Sequence, residues 1–214
     1  MRIALSKVNT VNIEAMITVS TSAEAYHHGN LRDALVKEGL TALEGAEAKE
    51  PSLRELARRV GVSATAVYRH FPDKQALNRA LAREGSKLLG DAQKKAADRA
   101  SDLPTKFALT GRAYVRFALA HPVLFRLMFT QGEPVESGDE GPDPARELLT
   151  DITCKLSATR EEAERLAMQA WSIAHGIAML MLDGRIPADD ALIDRLLDTG
   201  SLFPVQGSSS EESP

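Results

Sequence analysis

Ala57, Gly61 and Val67 stand at relative positions 0, +4 and +10 within LARRVGVSATAVYRHFPDK, residues 56–74. A helix-turn-helix needs that pattern, and two amphipathic helices of any bundle are the alternative that the triplet alone leaves open. The first position is small, as it must be where two helices cross closely. The second is glycine, which enters a left-handed turn without steric penalty. The third is a branched apolar side chain that pins a second helix. Leu56, Val60 and Val62 fill out a small core around the three. The pattern predicts two short helices joined by a tight turn. Such a helix-turn-helix leaves Thr65, Ala66, Arg69 and His70 on the outer face of its second helix, free to enter a major groove.

The flanking sequence agrees. Ser52-Leu-Arg-Glu55 reads as a capping box, and Leu53, Leu56, Ala57 and Val60 follow at i, i+3, i+4, i+7. Gly61 ends that helix and Ser63 caps the next, which repeats the spacing through Ala64, Val67, Tyr68 and Phe71. Pro72 suits the first turn of a further helix running through Leu77, Leu81 and Leu88. Upstream, Asn30 is a candidate cap, with Asp33 in the first turn and Leu31, Leu35, Ala42 and Leu43 as the apolar stripe. Downstream, helices fit 103–120, 122–130, 143–156 and 188–199. Between them, Thr159-Arg-Glu-Glu162 is a second capping box that opens a helix reaching about Gly184. No alternating strand pattern appears.

The expected fold is therefore all-α: an N-terminal three-helix domain carrying the helix-turn-helix, then a larger helical domain. The expected divisions are an N-terminal arm over 1–25, a helix-turn-helix domain over 26–80, a larger helical domain over 81–200, and a polar tail over 201–214. Residues 1–15 carry only Arg2 and Lys7 as cations and are expected to be a dispensable arm.

Charge separates the two ends. The net charge is -4, yet residues 26–131 carry 18 Lys and Arg against 11 Asp and Glu, while 132–214 carry 6 against 17. The front is expected to meet an anionic partner and the rear is not. No apolar run is long enough to cross a bilayer, and the opening residues lack a signal-peptide pattern, so no membrane is expected. Cys154 is the only cysteine, which excludes an intrachain disulfide and any multi-cysteine metal site. A cytoplasmic setting is expected.

LRELARRVGVSATAVYRHFPDKQAL resembles the DNA-binding domain of TetR-family transcriptional regulators, over about 26–80. The Tyr68-x-His70-Phe71 run, followed by Lys74 and Leu77, is the specific part. FALAHPVLFRLMF (117–129) and Trp171-x-x-x-His175-Gly176 resemble the TetR C-terminal domain named for a Trp-His-Gly motif. The resemblance implies an all-α homodimer with one DNA-binding domain per subunit, a helical effector and dimerisation domain, and usually repression. It also implies a DNA contact at Ala64, where alanine offers only apolar contact, for instance to a thymine methyl. Tyr68 and His70 match family phosphate or groove contacts. Tyr68 stays open between that role and a core position with its hydroxyl at the rim.

The residues themselves assign the same contacts. Ser52 and Arg54 open the positioning helix, where free backbone N–H groups and a cation hold phosphate. Ser63 opens the recognition helix. Thr65, Ala66 and Arg69 face outward, and Arg69 is the first choice for bidentate readout of guanine. Lys74 reaches phosphate from the following helix. Arg58 and Arg59 are open between phosphate contact and a solvated face. In the rear domain, Phe107, Tyr114, Phe125, Met128, Phe129, Met168, Trp171 and His175 are candidates to line a cavity for a small apolar effector, against the alternative of plain core packing. Ile173, Ile177, Met181, Leu192 and Leu196 form a surplus apolar face, expected to build a two-fold four-helix interface.

The function expected is a sequence-specific regulator, most simply a repressor released from a pseudo-palindromic operator by a small apolar ligand. The alternative is a constitutive DNA-binding protein with no effector. An enzyme is not expected, because no Gly-rich phosphate loop, no Ser/His/Asp context and no Glu-x-x-His cluster is present. No cofactor or metal is expected.

Overall fold

The computed structural model describes residues 31–45, 48–130 and 143–198, and every regular element among them is a helix. The helices are α1 (Leu31–Ala42), α2 (Leu53–Val60), α3 (Ala64–His70), α4 (Lys74–Ala97), α5 (Leu103–Ala120), α6 (Pro122–Thr130), α7 (Pro144–Leu156), α8 (Arg160–Leu182) and α9 (Asp190–Leu196). The expected all-α architecture is the observed one. The proposed cap at Asn30, residues 1–25 and the tail from 201 lie outside the described residues.

The chain divides into two compact units. Among the described residues, one holds those up to Ser86 together with 120–130, and the other holds 87–119 together with 143–198. Two details differ from the sequence-based division. α6 groups with the first unit, and the boundary between the units falls after Ser86, within α4, rather than at 80. In the first unit the close approach of Gly85 to Met128 shows why. A Cβ on Gly85 would lie 2.8 Å from the Met128 sulfur, so α6 seats directly on α4 there.

In the first unit, α1, α2 and α3 pack on one another. Their shared core comprises Leu35, Leu43, Leu56, Val67, Phe71, Leu77 and Leu81, all essentially inaccessible. The predicted triplet takes its predicted places. Ala57 and Val67 are buried. Gly61 is the C-cap of α2 with φ +76° and ψ 30°, and its N–H donates to the Ala57 carbonyl. A Cβ there would meet nothing within 4 Å, so the requirement for glycine is one of backbone angle and not of space. Gly61→Ala is accordingly expected to lower stability by roughly 1–2 kcal/mol. Gly176→Ala, in mid-helix with equally open space, is expected to be neutral or stabilising in the single chain. Thermal melts of the two variants side by side check this.

The capping signals divide. Thr159 and Glu162 form a complete reciprocal box at the start of α8. At α2 only half forms: the Ser52 hydroxyl accepts from Glu55 N at 3.1 Å, while the Glu55 carboxylate turns to Arg59 at 2.9 Å. A cation one turn along outcompetes a backbone N–H for that carboxylate. α4 starts later than Pro72. Asp73 caps it, accepting from Ala76 N at 2.7 Å, and Pro72 sits outside the helix.

In the second unit α7 packs against α8. α5 is tied to α9 by Arg116, which pairs with Asp190 at 2.7 Å and Asp194 at 3.1 Å, and by Arg112, which pairs with Asp194 at 3.3 Å. α4 approaches α7 so closely that a Cβ on Gly90 would lie 2.6 Å from Pro144 Cβ and 2.9 Å from Ala145 N.

Candidate nucleic-acid interface

α2 and α3 are short, and each is started by a serine. The Ser63 hydroxyl accepts from Ala66 N at 3.2 Å, as Ser52 does for α2. The same two serines expose their caps to solvent. α3 is held from beneath by Val67 alone among its own residues, with Phe71 buried just past its end. Because the helix is only seven residues long, one buried position suffices and the rest can face outward. Thr65, Arg69 and His70 are exposed, and Ala64 and Ala66 are half-buried. Tyr68 is 44% exposed, which places it on the surface and not in the core.

The cations differ in freedom. Arg69 and Arg54 are exposed and make no ion pair among the described residues. Arg59 is held between Glu38 at 3.2 Å and Glu55 at 2.9 Å, and both carboxylates raise its already high pKa. It reads as a brace between α1 and α2. Lys74 is paired with Glu50 at 2.6 Å, and that ammonium draws the Glu50 carboxyl below its ordinary range. A phosphate that takes Lys74 must displace Glu50. Sequence spacing gave no hint of this, because the partners are 24 residues apart and Glu50 lies outside any helix.

The eight candidate effector residues fall in both units. Phe125, Met128 and Phe129 belong to the first, where the Phe125 and Phe129 rings stand 5.0 Å apart at 59° and Phe125 is fully buried. The other five belong to the second. Three of those are joined. Trp171 Nε1 donates to the Tyr114 hydroxyl at 3.2 Å, and Tyr114 Oη and His175 Nδ1 lie 3.0 Å apart. Burial pushes the Tyr114 phenol well above its usual range and holds the His175 imidazolium down. Neutral His175 with its proton on Nε2 offers Nδ1 as an acceptor for the phenol.

The sign follows. The unfolded imidazole titrates near 6.5, and the folded one lower. Between those values the unfolded chain binds the extra proton, so stability is full above about 6.5 and falls as pH drops through that window. Melts of the wild type and of His175→Gln from pH 7.5 to 5.5 should converge toward acid. Parallel curves would remove His175 from the account.

α8 departs from the reading of its two apolar faces. Ala163, Ala174, Ile177, Ala178 and Met181 point inward and are buried in the single chain. Ile177 and Met181, expected at a dimer interface, are thus core residues of one chain, at 9% and 4% exposure. Ile173, Leu192 and Leu196 are half-buried. Met168 and Trp171, expected in a cavity, are exposed at 58% and 41%, as is Leu180 at 46%. The physical reason is size. The face with three alanines allows α8 to pack closely on its neighbours, so that face turns in and the bulkier one turns out.

Comparisons with known proteins match the chain in two stretches. Residues 49–81 match the family model described as bacterial regulatory proteins, tetR family. Residues 107–200 match the model described as tetracyclin repressor-like, C-terminal domain. No curated protein matches the chain. Among solved structures, a protein of unknown function from Rhodococcus sp. RHA1 is similar at 31% identity and a TM-score of 0.64, over 83% of this chain and 95% of that one. The protein SCO4313, whose own assignment as a regulator is provisional, is similar at 24% identity and a TM-score of 0.59, over 83% of this chain and 97% of that one.

Proposed function

The chain belongs to the TetR family of DNA-binding transcriptional regulators, and from that premise we propose that it is a homodimeric repressor released from a pseudo-palindromic operator by a small, largely apolar ligand. The observation that carries the reading is α3: one buried valine, a serine cap, and an outer face of Thr65, Arg69 and His70 beside Ala64, Ala66 and Tyr68. Ser52 and Arg54 at the start of α2, with Ser63 and Lys74, supply phosphate contacts. Arg69 reads a guanine. The run Trp171, His175 and Gly176, with Tyr114 bonded to the first two, supports a second unit of the Trp-His-Gly type.

The dimer uses the outward side of α8. Met168 and Trp171 lie one turn apart, Leu180 lies on the opposite flank of α8 from Trp171, and each presents apolar area that a lone chain leaves in water. The effector lies against Phe107, Tyr114 and His175 in the second unit. α4 is one continuous helix contributing to both units. A ligand that tilts α4 alters the spacing of the two recognition helices from the roughly 34–36 Å of one DNA turn. A coupling of about 1–3 kcal/mol is enough for a switch.

The test is selection of binding sites from random duplexes, followed by footprinting. A short two-fold footprint with half-sites one turn apart is the expected result. Diffuse protection would favour the constitutive DNA-binding alternative. On the selected site, Arg69→Ala is expected to cost roughly 1–3 kcal/mol and to relax preference at one base pair. An unchanged ratio of selected to scrambled affinity would move the readout to another residue.

A further inference from the structure

A second cationic feature adjoins the helix-turn-helix face. Arg32 from α1, His70 and Phe71 at the end of α3, and Arg79 and Arg83 from α4 line a cleft of about 150 Å³ with no carboxylate in its wall. Arg32, Arg79 and Arg83 make no ion pair among the described residues, although Arg59 and Lys74 in the same unit are each held by glutamate. Arg79 and Arg83 stand at i, i+4, a like-charge spacing that weakens a helix unless something offsets it. The Arg32 guanidinium is steadied over the Phe71 ring, 5.3 Å from its centroid, and Phe71 itself is buried. Three arginines and a histidine therefore line one small space with no carboxylate among its lining residues.

Size selects the ligand. Pockets for drug-sized molecules run to about 300–1,000 Å³, so this cleft seats one anionic group, not a whole effector. Planar guanidinium forks match the oxygens of a phosphate in pairs. We propose that the cleft is a phosphate site that seats a backbone phosphate of bound duplex DNA, beyond the bases read by α3. His70 makes the connection, since it is both the last residue of α3 and a wall of the cleft. The inference rests on α3 being the recognition helix. A free phosphorylated small molecule offers the same chemistry, and the experiment separates the two sources.

The full chain and its Arg79→Gln/Arg83→Gln variant are titrated with the selected duplex and a scrambled duplex over a salt series. The DNA-free proteins are also melted in sodium phosphate and in sodium chloride at equal ionic strength. The variant should bind both duplexes roughly tenfold or more weakly. Its plot of log K against log salt should be shallower by about 1, with the preference for the selected site unchanged. Phosphate should stabilise the wild type and not the variant. Phosphate stabilisation with coinciding salt slopes would overturn the DNA seat and assign the cleft to a free phosphorylated molecule. Coinciding slopes without phosphate stabilisation would overturn the site altogether. Failure of the DNA-binding reading looks different, because the wild type would then bind neither duplex and the phosphate melts alone would judge the cleft. The single variants Arg79→Gln and Arg83→Gln provide the same readouts if the double variant does not fold.

Discussion

Phe71→Ala is expected to destabilise the chain by about 3–5 kcal/mol and to abolish DNA binding. The ring is 1% exposed and sits just past the last turn of α3, where its N–H donates to the Val67 carbonyl at 2.9 Å. Val67 is the only residue of α3 itself that is buried. Phe71 therefore supplies the second fixed point of a seven-residue helix that has no other. Removing it leaves a cavity in the shared core of α1 to α4 and frees Arg32 from its ring. With total stabilities of domains near 5–15 kcal/mol, a loss of this size consumes much of the margin. Tyr68→Ala, three residues earlier, is the control. Its side chain is 44% exposed, so stability should change by well under 1 kcal/mol while affinity for duplex falls. Melts of the full chain and duplex titrations separate the two. A stable Phe71→Ala chain that has lost DNA binding would make Phe71 a contact residue instead of a core one.

The first unit was legible because its signals are local and redundant. The turn glycine, the two serine caps and the apolar period all fall within residues 52–71, and each constrains the same backbone. The structure adds what spacing does not encode. Glu50 captures Lys74, Glu38 and Glu55 capture Arg59, and Arg32 joins Arg79 and Arg83 across elements far apart in sequence. Ion pairing depends on tertiary approach, so a sequence pattern counts cations without showing which are occupied. The i, i+4 spacing of Arg79 and Arg83 is the part of that cluster visible in the sequence, since it puts both cations on one side of α4.

The second unit was less legible for a related reason. α8 is apolar on two sides, and period 3.6 identifies the sides without ranking them. Ranking needs volumes. Ala163, Ala174 and Ala178 mark the side that packs closely, and they were present in the sequence as a spacing of small residues. Tyr114, Trp171 and His175 were assigned to one neighbourhood from helix periodicity, and the hydrogen bonds place them together. Their polar atoms serve one another, so a ligand that bonds to any of them must compete with that network.

The exchange of faces on α8 yields a prediction that opposes two single substitutions on one helix. Ile177→Glu places a carboxylate at a position 9% exposed in the single chain. Burial of an unpaired charge costs several kcal/mol, and the expected result is an unfolded or aggregated chain. Leu180→Glu and Met168→Glu place the same carboxylate at positions 46% and 58% exposed. They should leave the melting temperature of a monomer nearly unchanged. In a two-fold interface each appears twice, so two new carboxylates face each other or their partners' apolar side chains. The expected result is a folded monomer by sedimentation. Affinity for the selected two-fold duplex should fall roughly a hundredfold or more, because one recognition helix must then bind without its partner's half-site. Sedimentation and circular dichroism on the three variants decide the matter. Folded monomers from Ile177→Glu, with dimers intact in Leu180→Glu and Met168→Glu, would restore the inward face to the interface. Folded monomers from the outward pair, with Ile177→Glu unfolded, would place the dimer on the face that α8 leaves in water.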